Sequence, residues 1–522
     1  MRDNTLTAPL SSLPKPWEEE RTFGDALSDW LQGGPWFAIS LILHLVAYFV
    51  VSAIPWHLLE RTQDKPVVAS IEPTPPQELV EPPPEVVKQI REPVPTEEPV
   101  LVDNTVVDEV QSETNLYSDS QSNDSPFQDS PFDANAFNDL IGIAGGGGRR
   151  GSGGPGWGRV PGGGGLAATV DSALDWLARH QAPDGSWDAD GFDHNRVRGE
   201  GDSGDCDCGG HGHATHDVGL TGLSLLAFLG VGQSSREGRY RETVARGLTF
   251  LREVQDPDTG LIGSANSREY LYDHAIATLA LCDAYYATRS PLLKRSVQTA
   301  VHFIQRARNP YGAWRYDSPP IGNNDTSVTG WMVFALAAAQ DAGLEVDDAA
   351  FDGALSWLDE VTDTSTGRVG YDSYGSLSAR TAANDHFPRE KSEAMTAVGL
   401  LCRIFIAHAR GEELTGDELT ARQAELLLRA KPEWDPAGFG CDMYSWYYGT
   451  YAMYQLGGRE WEQWRRAMEP AIQRSQRTDG HAEGSWDPVG PWGHAGGRVY
   501  ATAIQTLSLE VYLRHARVFG AR

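Results

Sequence analysis

The sequence predicts an all-α fold of six stacked helical hairpins across residues 166–522, and three observations predict it. The first is a phrase repeated five times, clearest at Trp176-Leu177, Gln181 and Gly185-Ser186-Trp187. There an amphipathic helix ends, a tight turn follows, and an aromatic residue plugs the junction. A degenerate copy runs Phe250-Leu251, Gln255, Gly260 with Ile262 in the tryptophan place. Phe303-Ile304, Arg308, Gly312-Ala313-Trp314 follows, then Trp357-Leu358 with Gly367, then Ile472 with Gln476 and Gly484-Ser485-Trp486. The second observation is six helical stretches richer in apolar and small residues, at 215–229, 272–287, 325–341, 391–409, 442–456 and 498–515, all but 442–456 following a copy of the phrase. The third is an outer helix near 415–431 without the phrase, whose spacing through Leu419, Ala424, Leu427 and Leu428 supplies the missing partner. A unit of this kind cannot bury its own apolar face and must stack on its neighbours.

The phrase resembles the QW motif of the squalene-cyclase and prenyltransferase repeat, and the resemblance covers residues 166–522. It implies an (α/α)6 toroid with the second helices inside and the motif helices outside. Read mechanically, Gln satisfies orphan backbone groups at a helix end, Gly permits the turn, and Trp covers the joint. Repeated placement suits a scaffold, so these residues are expected to be structural.

The first 165 residues are built differently. A short segment, 1–35, precedes a run from Trp36 to Trp56 without Asp, Glu, Lys or Arg. At ~1.5 Å per residue such a helix spans about 30 Å, one hydrocarbon core, with tryptophan at both ends. A cleaved signal peptide would be shorter and would not follow so long a polar lead, so a retained single-pass anchor is expected. Arg2, Lys15 and Arg21 precede it while Arg61 and Lys65 follow closely, so charge does not orient it. The Ser-x-x-x-His pattern of Ser40 and His44 resembles the anchor of TonB-type energy-transducing proteins. That resemblance implies a cytoplasmic N-terminus, proton-driven motor subunits as partners in the inner membrane, and a periplasmic toroid. A neutral His44 bonded to a carbonyl or to water is the plainer reading.

Residues 57–143 read as a disordered linker, Pro-rich early and acidic-polar later, and the Gly-rich stretch 144–165 reads as a hinge. The 73–99 stretch, at ~3.1 Å per residue, reaches on the order of 80 Å. The formal net charge of −29 argues against nucleic acid and against docking on anionic lipid.

In a closed ring the starts of the inner helices share one mouth. It is expected to gather His216-Asp217, Asp273-His274, Asp325, Ser392-Glu393, Cys441-Asp442 with Tyr444, and His494 with Arg498 and Tyr500. Such groups could bind a ligand or do acid-base work, although carboxylates at helix starts also act as simple caps. The chemistry of the resembling families does not carry over. No Asp-x-Asp-Asp acid stands on an inner helix, and Cys441-Asp442 reverses the Asp-x-Cys order of prenyltransferase zinc ligands. The loop holding Cys206, Cys208, His211, His213 and His216 has zinc-ligand types, with disulfide or plain loop as alternatives. Cys282 and Cys402 are expected in the core. The tract Tyr444, Trp446, Tyr447, Tyr448, Tyr451, Tyr454 gives one inner helix an aromatic face suited to isoprenoids, to sugars or to plain packing. The functional expectation is a non-catalytic module at the membrane that binds an apolar or lipid-like ligand or a protein segment. The alternatives are an enzyme acting on an isoprenoid or lipid through Asp273, Asp325, Asp442 and His494, and a carbohydrate-active toroid.

Overall fold

The computed structural model describes residues 44–46, 163–194 and 206–514, apart from positions 311, 413 and 415. The chain divides into two units, Met1–Tyr117 and Ser118–Arg522. In the first, residues 44–46 are helical and exposed. The remainder of the expected anchor, Ser40 included, lies outside the described residues, as do the linker and most of the hinge.

The second unit is helical. Its outer helices are α1 (Gly163–Arg179), α3 (Arg241–Glu253), α5 (Pro291–Arg306), α7 (Asp348–Val361), α9 (Glu418–Arg429) and α11 (Gly458–Ser475). They alternate with the inner helices α2 (Asp217–Gly230), α4 (Tyr270–Thr288), α6 (Thr326–Asp341), α8 (Ala394–Ala409), α10 (Met443–Leu456) and α12 (Gly493–Leu509), followed by the short α13 (Val511–Arg514). Helix α5 buries one stripe, Leu293, Val297, Ala300, Val301 and Ile304, as an amphipathic outer helix should. Helix α4 is buried on nearly every side. Helix α8 and the turn before it, Arg389–Ala409, have the length and apolar composition of a membrane span but lie mostly buried within the domain.

Ring closure follows from the packing. Helix α2 packs on α4, α4 on α6, α6 on α8, α8 on α10, α10 on α12, and α12 back on α2. Each inner helix is backed by an outer one, with α1 closing behind α12. The fold is an (α/α)6 toroid.

The repeated phrase works as a two-repeat lock. Gln181 Nε2 donates to its own turn at Gly185 O (2.9 Å) and to Thr243 O (3.0 Å) on the next outer helix. Gln255 does the same to Gly260 O (3.1 Å) and Ser296 O (3.0 Å). Gln476 reaches Gly484 O (2.9 Å) and Thr169 O (2.8 Å), joining the last repeat to the first. The plug's indole N–H returns to the preceding helix, Trp187 to Leu177 O and Trp314 to Ile304 O, both at 2.8 Å. Its backbone N–H is received one turn into the inner helix, by Thr221 at 3.0 Å for Trp187 and by Thr329 at 3.3 Å for Trp314. At Gly185, φ is +98°, and an added Cβ would stand 2.4 Å from Arg246 O, so both conformation and close approach require glycine.

Three expectations are refined. In the fourth copy Val369 takes the plug position, its N–H meeting Thr396 Oγ1 (3.3 Å), while Trp357 stays on α7 with its indole N–H 3.3 Å from Thr326 Oγ1. The last inner helix starts at Gly493 and is interrupted at Gly497, where φ is +63° and ψ is −161°. Side chains fill the axis of the ring: Trp331 of α6 stacks on Tyr447 of α10 at 6.0 Å, although α8 stands between those helices in the ring. Phe334 meets Phe405 at 4.7 Å and Tyr448 at 5.4 Å.

Candidate functional site at the mouth of the ring

The helix starts converge in part, and three groups of polar residues result. In the first, His216 Nδ1 lies 3.4 Å from Asp273 Oδ1, joining the starts of α2 and α4. His213 stacks parallel to His216 at 6.3 Å and meets His494 edge-on at 5.7 Å. Asp217 accepts the Ala189 N–H (2.9 Å). Burial pushes the Asp217 carboxyl up to about 7, helped by Asp188, Asp190 and Asp273. Burial also raises Asp273. Burial works against a charged His216, but Asp273, Glu269 and Asp217 outweigh it and raise the imidazole. His494 is lowered by burial and by His213.

The second group surrounds Asp325, which caps α6 by accepting the Val328 N–H (2.8 Å). Its other oxygen lies 3.4 Å from the Tyr371 hydroxyl and 3.9 Å from Arg315 Nε. Tyr371 and Tyr316 share a hydrogen bond of 2.5 Å, and Tyr444 bonds Ser327 at 2.7 Å across the ring. Burial pushes Asp325 up to about 7 despite those donors. Sequence reasoning missed Arg315, Tyr316 and Tyr371. A signal existed: Tyr316 and Tyr371 each stand two residues after a plug position, Trp314 and Val369.

The third group is engaged in fixed pairs. Asp442 caps α10 through the Ser445 N–H (3.1 Å) and pairs with buried Arg380 (3.3 Å), which lies over the Trp492 ring. Glu393 pairs with Arg368 (2.7 Å) and accepts from Thr396 (3.0 Å).

Other expected site residues face elsewhere. His274 does the work that threonine does in other repeats, accepting the Ile262 N–H at Nδ1 (3.0 Å) with Nε2 3.2 Å from Ala300 O. Burial lowers it to about 3, so it is neutral. Arg498 turns from the mouth to Cys208 O (2.9 Å), Gly209 O (2.7 Å) and Asp487 (2.7 Å). The Cys441 sulfur receives the Asp435 N–H (3.1 Å), and burial pushes its thiol up to about 11. Tyr500 is half-buried, with its hydroxyl enclosed. His211 bonds Asp193 (2.9 Å), and with His213 and His216 in the first group the loop histidines stand apart from Cys206 and Cys208. Those cysteines meet His180 instead, at 3.4 and 3.6 Å.

Asp325 yields a pH prediction. Its folded carboxyl titrates near 7 and its unfolded one near 3.8, so the folded chain holds the extra proton and stability falls as pH rises between them. In Asp325→Asn that loss disappears while an amide still caps the helix. Denaturant midpoints measured from pH 4 to 7 should shift toward the variant by up to ~1.4 kcal/mol per pH unit. A pH-independent difference between the two proteins contradicts the assignment.

No family model matches the chain. It is similar to the protein farnesyltransferase subunit beta of Schizosaccharomyces pombe (strain 972 / ATCC 24843), 25% identical over 136 residues. That match covers 26% of this chain and about a third, 32%, of that protein's length. Similar solved structures include an alpha-1,6-mannanase of Salegentibacter sp. HEL1_6 (11% identity, TM-score 0.44, 66% of this chain and 98% of that one). Another is the type II terpene cyclase MstE from Scytonema (15% identity, TM-score 0.39, 67% and 97%). A third is an unsaturated glucuronyl hydrolase from Bacillus sp. GL1 (14%, TM-score 0.42, 67% and 96%).

Proposed function

We propose that the chain is a non-catalytic binding module whose mouth docks an apolar ligand or a partner segment, held at the inner membrane by residues 36–56. The filled axis carries this reading. Trp331, Phe334, Phe405, Tyr447 and Tyr448 are the residues that would line a substrate cavity, and they are buried against one another. The carboxylates of Asp442 and Glu393 are spent on caps and ion pairs. Meanwhile Ile321, Tyr374, Leu377 and Phe439 are exposed on the loops that lead into inner helices, an apolar fringe suited to docking. The charge-free run 36–56 supports the tether, and Ser40 with His44 supports proton-driven motor subunits as partners, with the toroid periplasmic.

Asp325 favours a second reading: a carboxyl protonated near neutral pH beside Tyr371 and Arg315 is equipped to act as an acid on an isoprenoid or lipid. Native mass spectrometry of the full chain from its own host separates the two. Binding predicts a co-purified apolar species or peptide of fixed mass, lost in Tyr374→Glu with Phe439→Glu and kept in Asp325→Asn. Product formed from an isoprenoid or glycan panel, and abolished by Asp325→Asn, overturns the binding reading. Release of the full chain from membranes by alkaline wash contradicts the tether.

A further inference from the structure

Three ligand-bearing side chains that the mouth does not use meet at the seam between the first repeat and the last. His180 follows α1 and is fully buried, stacked on Trp176 at 4.2 Å. Its Nδ1 lies 2.8 Å from Trp176 O, a pure acceptor, so Nδ1 carries the proton and Nε2 presents its lone pair. Nε2 is directed at the sulfurs of Cys206 (3.4 Å) and Cys208 (3.6 Å), both buried and unbridged. The three ligand atoms all lie within 4.8 Å of one another.

The two nitrogen–sulfur distances match an edge of a metal tetrahedron. With zinc–nitrogen near 2.1 Å and zinc–sulfur near 2.3 Å, tetrahedral geometry separates N from S by about 3.6 Å. The histidine is also arranged as a ligand, since a carbonyl that fixes Nδ1–H leaves Nε2 to coordinate. The loop is set by bonds that need no metal: Cys206 N–H to Asp193 O (2.9 Å), Gly212 N–H to Ala189 O (2.8 Å) and Arg498 N–H to Gly210 O (2.7 Å). Arg498 also clamps the carbonyls of Cys208 and Gly209. A Cβ at Gly497 would stand 2.5 Å from Gly212 N, so the break in α12 is what lets the loop lie down.

We propose that His180, Cys206 and Cys208 bind a zinc ion, which staples the 206–212 loop to the end of α1 and to the closing seam of the ring. The site is distinct from the mouth and does not rest on the binding reading. Binding exchanges Zn²⁺ for two thiol protons and leaves a neutral ZnS₂N unit, a charge balance compatible with burial. Three protein ligands leave a fourth position for water or another donor.

The test uses the full chain. After reduction, zinc loading and dialysis, it should retain about one zinc per chain, release protons on uptake, and give thiolate-to-cobalt charge-transfer absorption when cobalt replaces zinc. Cys206→Ser with Cys208→Ser should lower retention below about 0.2 equivalents with helical circular dichroism intact, because the repeats hold the ring. Zinc retained by that double variant overturns the site. So does a wild-type chain holding less than about 0.2 equivalents. If the variant fails to fold, the cobalt spectrum of the wild-type chain decides: absorption without a thiolate band overturns the proposal.

Discussion

Replacing Trp486 with alanine lowers the free energy of unfolding by about 3–5 kcal/mol, the range for large-to-small changes in a close-packed core. Its indole is fully buried and donates to Ile472 O (2.9 Å), and its own N–H reaches Thr502 Oγ1 (3.4 Å). Two residues earlier, Gly484 (φ +94°) lies so close to α1 that an added Cβ would stand 2.1 Å from Ser172 O. Gln476 of the same copy donates to Thr169 O (2.8 Å). This copy therefore joins the last repeat to the first, and its loss opens the seam as well as a cavity. Trp486→Phe keeps most of the apolar area and orphans one carbonyl, so its deficit should be about 1–2 kcal/mol. Urea denaturation of the three proteins checks both figures. If alanine costs less than about 1 kcal/mol, the tryptophan is not a lock.

Removing the guanidinium of Arg514 should be as damaging, at about 3–5 kcal/mol in Arg514→Met near neutral pH. Arg514 is buried at the end of the ring opposite the mouth, bonded to Asp283 (2.9 Å) and to Leu226 O (2.5 Å). One cation there faces two carboxyls, because Glu510 is also fully buried. Burial raises Glu510 well above the ordinary range, and burial holds Asp283 near 7 even against the attraction of Arg514. Without the cation both carboxyls must stay protonated. Groups whose folded pKa lies above the unfolded value stabilise the fold in acid and lose that contribution as pH rises through the interval. Up to the wild-type Asp283 value near 7 both proteins lose this contribution alike, so the deficit of Arg514→Met should widen only above about pH 7, where Asp283 ionises beside Arg514 in the wild type and stays protonated in the variant. Asp283→Asn should cost distinctly less, because Glu510 can ionise in its place. Equal losses in the two variants, or a deficit that shrinks with pH, would refute this account.

The fold was legible in the sequence because its decisive contacts are local. Gln181 reaches Gly185, Trp187 reaches back ten residues to Leu177, and the following inner helix receives the plug, so each hairpin carries its own instructions. The mouth was legible in part. Asp217, Asp273, Asp325 and Asp442 stand at helix starts where the repeat puts them, but Asp442 and Glu393 acquire their cations from long loops, Arg380 and Arg368, that follow no period. His274 looked like a site residue because its role, receiving a backbone N–H in place of threonine, becomes visible only when the repeats are superposed.

By itself, then, the sequence determined the helical repeat, the number of hairpins and the structural use of Gln and Trp, because these depend on helical period and on hydrogen bonds across a few residues. Only the tertiary structure decided which side chains fill the axis, that Arg514 meets Asp283 across 231 positions, and that His180 meets Cys206 and Cys208 from 26 and 28 residues away. Such partners are chosen by where the closed ring brings distant segments together, and no local pattern encodes that distance.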